Sequence, residues 1–146
     1  MTEVPVPTRE AGCVFCAVAA GEVPTHVVAA SDEAMAFLDN RPVFPGHVLV
    51  IPRGHVATLA ELAAPLLPGY FGFVQRVAVA VQAGLGADGS FVAINNVVSQ
   101  SVPHLHTHVV PRRRKDGLRG FFWPRSKYAS DTEAAAYAAK ITAALS

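Results

Sequence analysis

Histidines stand at every second position in the segment "PHLHTHVVP", residues 103–111. Alternate side chains of a β-strand point to the same face, so this spacing predicts a strand with three histidines on one face and a core-facing set on the other. The histidines are His104, His106 and His108, and the core-facing residues are Leu105, Thr107 and Val109. Each buried imidazole needs a polar partner, so the pattern indicates a functional site rather than chance.

The same spacing limits what the three rings can share. Same-face neighbours of a strand are about 6.6 Å apart, which places the backbones of the outer two histidines about 13 Å apart. Zn–N bonds measure about 2.1 Å, so one ion bound by all three rings is near the geometric limit. We therefore expect the rings to have different tasks. Neutral imidazole is an effective nucleophile at neutral pH, which makes nucleophilic catalysis one of those tasks.

Hydrophobic periodicity outlines the rest of the fold. Strand-like runs cover residues 25–31, 33–39, 46–52, 90–96 and 104–111. Apolar residues recur at three and four between residues 65 and 85, which predicts an amphipathic helix that Gly84 or Gly86 ends. A helical turn follows Cys13, and "SDTE", residues 130–133, is typical of a capping box before a terminal helix. The pattern predicts an α+β domain: an antiparallel sheet of about five strands, one main helix and a C-terminal helical arm.

Length and composition predict one globular domain. The 146 residues are 51% hydrophobic, and they suffice for one core but not for two. We expect a disordered start over residues 1–12 and a single domain over residues 13–146. The first residues lack the features of a signal peptide and no continuous apolar run reaches about 18 residues, so we expect a cytoplasmic protein with no membrane partner.

Basic residues are concentrated near the C-terminal end. The formal net charge is +1, yet seven of the twelve Lys and Arg residues lie between Arg112 and Lys127, where Asp116 is the only acid. Such an excess attracts an anion such as phosphate. Phe121, Phe122 and Trp123 lie within it, a mixture also found in nucleic-acid-binding segments. One short patch on a nearly neutral protein is weak support, and we expect no nucleic-acid partner.

Two cysteines, Cys13 and Cys16, form a single C-x-x-C. A disulfide framework is not expected from one close pair without a secretion signal. The pair is half of a tetrahedral metal site, a pair of inert thiols or a redox pair; the last lacks its usual βαβ context.

The triad segment resembles the H-x-H-x-H-x-x signature of the histidine-triad (HIT) nucleotide hydrolases and transferases. "CVFCAVAAGEVP", "AFLDNRPVFPGHVLVIPRGH" and "SQSVPHLHTHVVPR" resemble other segments of that family, and its purine nucleoside phosphoramidase-like branch is the most similar. The resemblance implies the HIT fold, a homodimer without an organic cofactor, and hydrolysis of a P–N or P–O bond at the α-phosphate of a purine nucleotide.

Roles of individual residues also follow from the resemblance. It implies that His106 attacks phosphorus to form a nucleotidyl-histidine, with His108 and His47 beside it and Ser101 contacting the phosphate or leaving group. It further implies that Asp39 binds the ribose hydroxyls, and that Asn95 and Gln100 contact the nucleotide.

In one branch of the family a structural zinc binds residues that correspond to Cys13, Cys16, His55 and His104. In the family, the segment after the triad contributes to the dimer interface and to the leaving-group side of the site, which implies that Arg112 or Arg119 contacts substrate phosphate. The alternative is a solvated basic loop whose aromatic residues pack in a dimer interface.

The loop before the triad departs from the family. Many relatives have a glycine directly before the glutamine and a slightly longer loop, whereas this chain has Ser99 there, after Val97 and Val98. Three other functions stay open at this point: a dinucleoside polyphosphate hydrolase, a nucleotide-binding regulatory module with little activity, and a zinc enzyme that uses the histidines as catalytic ligands.

Overall fold

A five-stranded antiparallel sheet is the centre of the fold. The computed structural model describes residues 8–119 and 125–145. The strands are β1 (Val27–Ala30), β2 (Ala34–Leu38), β3 (Val48–Pro52), β4 (Gly89–Ile94) and β5 (Thr107–Arg112), in the spatial order β1-β2-β3-β5-β4. The helices are α1 (Val14–Ala19), α2 (Leu67–Leu85) and α3 (Asp131–Ala144), with short 3₁₀ turns at Leu59–Glu61 and Ala64–Leu66. The predicted α+β class and five-stranded sheet are confirmed.

The two faces of the sheet pack against different elements. Core residues from β3 and β5 that pack with α2 include Val48, Val50 and Val109, whereas Leu49 and Ile51 of β3 pack with α1. Because β3 is covered on both sides, all five of its residues are buried. Its neighbour β5 lies antiparallel to it, with Leu49 opposite His108. His108 therefore lies on the α1 face, beside Leu49.

Thr107 is a buried polar residue on the α2 face, and its hydroxyl has a hydrogen-bond partner in Tyr70 of α2. The Tyr70 hydroxyl lies 2.7 Å from the Thr107 hydroxyl and donates to the carbonyl of Val50 at 2.9 Å. Burial raises the pKa of Tyr70, so the phenol stays a neutral donor. These bonds fix the register of α2 against the strand that carries His108.

Two details of the sequence prediction are wrong. Regular pairing of β5 begins at Thr107, so His104 and His106 precede the strand instead of lying in it. The alternation between the two faces of the sheet nevertheless continues through the residues before β5, and Leu105 is fully buried in the α2 core. The threefold and fourfold spacing of apolar residues in the sequence also placed Phe71 on the inner face of α2, together with Tyr70 and Val74. In the structure Phe73 packs in the core instead, and Phe71 is 40% exposed.

Helix α2 ends as expected at Gly86, whose φ of 61° lies in the left-handed region. By length and composition alone, the segment Ala64–Leu85 would suffice to cross a membrane. Its inner face packs on the sheet through Tyr70, Phe73 and Val77, as the main helix of an α+β domain does. A second glycine, Gly46, has a φ of 96°, and a Cβ there would collide with Leu85. Glycine is therefore required directly before His47.

The chain divides into two compact units, and the boundary in the sequence falls between Arg114 and Lys115. In the second unit, Ser130 caps α3 by accepting from the Glu133 amide at 3.1 Å, which confirms the predicted capping residue. Phe121, Phe122 and Trp123 lie outside the described residues, as do residues 1–7 of the predicted disordered start. Residues 8–12 of that start include a turn, and the Thr8 carbonyl accepts from the His55 amide at 2.9 Å.

Candidate active site and metal centre

A cavity of about 750 Å³ opens on the α1 face of the sheet. Ligand sites usually have about 300–1,000 Å³, so this volume suits a nucleotide. Four of the predicted site residues line it: Asp39, Ser101, His106 and His108. The structure therefore brings residues together that the sequence separates by up to 69 positions.

His106 is oriented by the backbone that precedes it. Its Nδ1 lies 2.8 Å from the carbonyl oxygen of His104, and a carbonyl only accepts, so Nδ1 carries the proton. The neutral ring therefore has its lone pair on Nε2. Phe15 of α1 packs edge-on against the ring with centroids 5.1 Å apart, which restricts its rotation. The result is a nucleophilic nitrogen held in a fixed direction within a cavity-lining side chain.

His47 and His108 form a short chain of hydrogen bonds behind the cavity. The Val43 amide donates to Nδ1 of His47 at 3.1 Å, so the proton of the neutral His47 ring is on Nε2. That Nε2 lies 3.0 Å from Nδ1 of His108 and donates to it. Nδ1 of His108 is thus an acceptor, and its proton is on Nε2. Backbone geometry at Val43 in this way determines which nitrogen of His108 can donate.

The rings of His47 and His108 are both neutral at neutral pH. Burial is the main cause that lowers the pKa of His108, to about 4, with further contributions from His106 and His47. Burial also lowers the pKa of His47, which the Asp39 carboxylate, 3.7 Å away, partly opposes. A neutral His108 can donate a hydrogen bond to a phosphate oxygen, but it is too weak an acid to release that proton.

The sequence reasoning missed the apolar part of the cavity. Its lining includes Val14, Phe15, Val18, Phe37 and Leu49. The signal was present in the sequence, because Val14 and Val18 are four residues apart on one face of α1. Leu49 of β3 follows His47 by two residues, which predicts the same side of an extended segment. Arg53 helps to hold α1 beside the sheet by donating to the carbonyls of Ser31 and Ala19 at 2.6 and 3.1 Å.

Two predicted nucleotide contacts, Asn95 and Gln100, are not among the residues that line this cavity. The Gln100 amide accepts from the Val97 backbone at 2.8 Å and donates to the Ala57 carbonyl at 2.6 Å, so it holds the loop together. The amide oxygen of Asn96 accepts from the Leu59 backbone at 2.9 Å. Their neighbour Asn95 is exposed directly after β4.

Backbone strain marks the loop that departs from the family. Val97 and Ser99 have φ values of 68° and 62°, in the left-handed region that favours glycine. Val97 is β-branched, which makes this conformation costly for it. The loop thus adopts a glycine-like backbone with residues other than glycine.

A second cluster lies on the other side of His104. Ligand atoms of Cys13, Cys16, His55 and His104 all lie within 4.8 Å of one another. Nδ1 of His104 is 3.4 and 3.5 Å from the two sulfur atoms, and Nδ1 of His55 is 3.3 Å from that of Cys16. Around a tetrahedral zinc, sulfur and nitrogen ligands are about 3.6 Å apart. The residues therefore fit a zinc ion of the Cys₂His₂ type.

The outer nitrogens of the two histidines support this fit. Nε2 of His104 donates to the Pro52 carbonyl at 2.8 Å, and Nε2 of His55 is 2.6 Å from the Glu10 carboxylate. Both rings then direct an unprotonated Nδ1 toward the sulfurs, as metal-binding histidines do. Burial raises the pKa of the Cys16 thiol, a cost that coordination to a cation would offset. Glu10 had no predicted role in the sequence reasoning.

Residues 20–115 match the family described as HIT domain. The chain belongs to the HIT domain family. The adenosine 5′-monophosphoramidase hnt1 of Schizosaccharomyces pombe is 32% identical over 114 residues, which are 77% of this chain and 83% of that protein. The resemblance inferred from the triad is confirmed, and relatives of this HIT protein include nucleotide hydrolases.

Solved structures agree with this assignment. A HIT family protein from Bacillus subtilis superposes with a TM-score of 0.85 at 30% identity, covering 92% of this chain and 98% of that one. A zinc-bound histidine triad family protein from Mycobacterium smegmatis has a TM-score of 0.70 at 36% identity, with 90% and 97% covered. The HIT fold is therefore shown by both sequence and structure.

Proposed function

We propose that the protein hydrolyses purine nucleoside 5′-phosphoramidates through a nucleotidyl group carried on His106. The observation that carries this proposal is the 2.8 Å bond from Nδ1 of His106 to the His104 carbonyl, which leaves Nε2 as a fixed nucleophile. The similarity to an adenosine 5′-monophosphoramidase supports the reaction class.

The substrate fits the cavity in one direction. The α-phosphate lies at His106 and His108, the ribose hydroxyls at Asp39, and the purine against the apolar residues contributed by α1, β2 and β3. The Arg41 amide donates to Oδ1 of Asp39 at 2.9 Å, so Oδ2 is the oxygen that accepts from the ribose. A carboxylate suits this task because it only accepts hydrogen bonds.

Chemistry proceeds in two displacements. Nε2 of His106 attacks the α-phosphorus, the P–N bond to the amine breaks, and the departing nitrogen takes a proton from solvent beside the exposed Ser101. Water then attacks phosphorus and releases one proton to solvent, the P–N bond to His106 breaks, and the nucleoside monophosphate leaves while the ring regains its neutral form with the proton on Nδ1. His108 donates from Nε2 to a phosphate oxygen in both steps and stabilises the charge that develops there.

We further propose that the Cys13–Cys16–His55–His104 cluster binds a structural zinc. Four protein ligands leave no open position for substrate, which is typical of structural and not catalytic sites. Zinc supplies a crosslink between α1 and the segment before β5. His104 then has two tasks, because its ring binds the metal while its carbonyl orients His106.

A homodimer is the third part of the proposal. Helix α2 exposes Phe71, Val79 and Leu85, and Val92 is 45% exposed on β4, which is an edge strand of the sheet. A second copy would cover these apolar side chains. Light scattering coupled to size exclusion tests this: a dimer mass is expected, and a monomer mass at micromolar concentration contradicts it.

The test of the function is turnover of adenosine 5′-phosphoramidate, followed as release of the monophosphate. Wild-type protein is expected to turn over, and His106→Gly is expected to lose activity by about 10⁴-fold because the nucleophile is gone. Metal content and circular dichroism of the variant serve as controls for folding. Turnover that survives in His106→Gly, or no turnover by the wild type, contradicts the proposal.

A further inference from the structure

A second, smaller cavity adjoins the nucleotide cavity. It has about 320 Å³ and lies between the loop that begins at Glu10 and the segment Ser101–Pro103. Val14, Ser101 and Val102 line both cavities, so the two cavities lie side by side at these residues. The Ser101 hydroxyl stands at their border, next to the position proposed for the α-phosphate.

The occupants already assigned leave this cavity free. Asp39 binds the ribose and the apolar residues bind the purine in the proposed binding mode, so the nucleoside fills the first cavity. The α-phosphorus carries one more group, the amine that departs when His106 attacks. That group needs space on the phosphate's remaining side, and the second cavity borders the phosphate position through Ser101.

Among the described residues that line the second cavity, Glu10 is the one acidic or basic side chain. One of its oxygens is 2.6 Å from Nε2 of His55, and the side chain is 62% exposed. The adjacent cation, Arg9, is bound to Glu22, with a second contact of 2.7 Å. Zinc with two thiolates is neutral overall, so it does not balance the Glu10 charge. A carboxylate in this setting attracts a cation and repels an anion.

We propose that the second cavity binds the leaving group and that Glu10 selects leaving groups that carry a positive charge at the end distant from phosphorus. This inference rests on the proposed function. Glu10 takes no part in breaking the P–N bond; it contacts the charged end of the amine before and after departure. It is a specificity residue, held in place by its bond to His55.

The test uses three adenosine 5′-phosphoramidates that differ only at the far end of the amine. The first carries a trimethylammonium group, the second a tert-butyl group of the same shape and the third a sulfonate. kcat/KM is measured for wild type and Glu10→Gln, because glutamine can still accept from His55 but has no charge. Asp32→Asn, an exposed carboxylate in the β1–β2 turn, is the matched control for net charge.

Wild type is expected to prefer the cationic compound over the neutral one, and the neutral one over the anionic one. Glu10→Gln is expected to lower kcat/KM for the cationic compound by about threefold to tenfold and to raise it for the anionic one. The neutral compound and Asp32→Asn serve as references that stay within about twofold, and added salt reduces the preference of wild type.

The outcomes separate the two proposals. If kcat/KM for the three compounds stays the same in Glu10→Gln, the leaving-group assignment is overturned. An equal loss of kcat/KM for all three also overturns it, because Glu10 then acts only through His55 and the metal site. Metal content measured on each variant identifies that second case. Turnover of none of the three compounds by wild type overturns the proposed function and this inference with it.

Discussion

The two histidine clusters of this protein use the same ring in opposite ways. In the metal centre, His55 and His104 direct Nδ1 inward to the sulfurs and anchor Nε2 on a carboxylate or a carbonyl. In the catalytic cluster, His47 and His108 bond to each other, ring to ring. The first arrangement directs several lone pairs toward one point, which suits a cation. In the second, the bond from His47 leaves Nε2 of His108 as a hydrogen-bond donor at the cavity, which suits a phosphate.

His104 is the residue at which the clusters meet. Its ring belongs to the candidate metal centre, and its carbonyl accepts from Nδ1 of His106, the proposed nucleophile. This geometry explains why three alternating histidines do not share one task. If the cluster binds zinc as proposed, the metal would order the backbone that orients His106 without touching the substrate.

Loss of the metal is expected to give the largest effect on stability. His55→Leu removes one ligand, and we expect loss of bound zinc and a decrease of at least about 3 kcal/mol in the free energy of unfolding, or about 10 °C in the melting temperature. Metal analysis and calorimetry measure both. Unchanged melting in a metal-free variant would show that the cluster is merely a set of inert thiols and rings.

His47→Leu is the matched change in the catalytic cluster. It removes the donor to Nδ1 of His108, so His108 no longer has a defined tautomer, and kcat is expected to fall by about 10- to 100-fold. Zinc content and melting temperature are expected to change little. His55→Leu is thus expected to lower zinc content and melting temperature, whereas His47→Leu is expected to lower kcat. A loss of zinc in His47→Leu would contradict the separation of the clusters.

The pH dependence of stability tests the neutral state of His108. Its folded pKa of about 4 lies below the ordinary value of about 6.5, so the unfolded chain binds more protons between these values. The contribution of the neutral His108 ring to the free energy of unfolding is fully present above pH about 6.5 and is lost as the pH falls toward about 4. At pH about 5 the loss is about 1 to 2 kcal/mol, allowing for solvent screening at this half-buried ring.

Denaturant unfolding of wild type and His108→Gln at pH about 7.5 and about 5 measures this term. The difference between the two proteins is expected to change with pH by that amount. Subtracting the variant removes contributions from His47 and His104, whose pKa values burial also lowers. A pH-independent difference would mean that His108 is protonated as readily in the folded protein as in the unfolded one.

The smallest expected effect concerns the strained loop before the triad segment. Val97 is 75% exposed with a φ of 68°, so Val97→Gly loses little packing and relieves backbone strain. We expect a gain of about 0.5 to 1 kcal/mol. Val98→Gly is the control, because Val98 is 79% exposed but has no positive φ. A stabilisation by Val98→Gly, or a loss in Val97→Gly, would show that strain is not the cause.

Much of the fold could be predicted from the sequence, because it follows from local periodicity. The continuous apolar run of β3 indicates a strand that is buried on both faces. The threefold and fourfold spacing in α2 indicates which side of the helix packs on the sheet, although it misplaces Phe71. The start of β5 could not be predicted, since the alternation continues through His104 and Leu105 although the pairing does not. Pairing depends on the neighbouring strand, which the periodicity does not include.

The site could be predicted where the residue type itself carries the chemistry. The resemblance implied the four ligands of the metal centre, and the structure brings them together. Contacts made by backbone groups, such as the Val43 amide on His47, leave no mark in the sequence. Glu10 was also missed, because a single carboxylate near the N-terminus looks the same whether or not it meets His55.

The most direct test of the account is intact-mass analysis of the protein mixed with adenosine 5′-phosphoramidate and quenched during turnover, with zinc-loaded and chelator-treated samples compared. The account predicts one adenylyl group per chain, mapped to the peptide at His106, in the zinc-loaded protein and in the fraction of chelated protein that remains folded. An adduct on another residue, or the absence of an adduct during active turnover, contradicts the assignment of His106. Turnover that stops on chelation while the protein stays folded contradicts the division between a structural metal centre and a metal-free catalytic cluster.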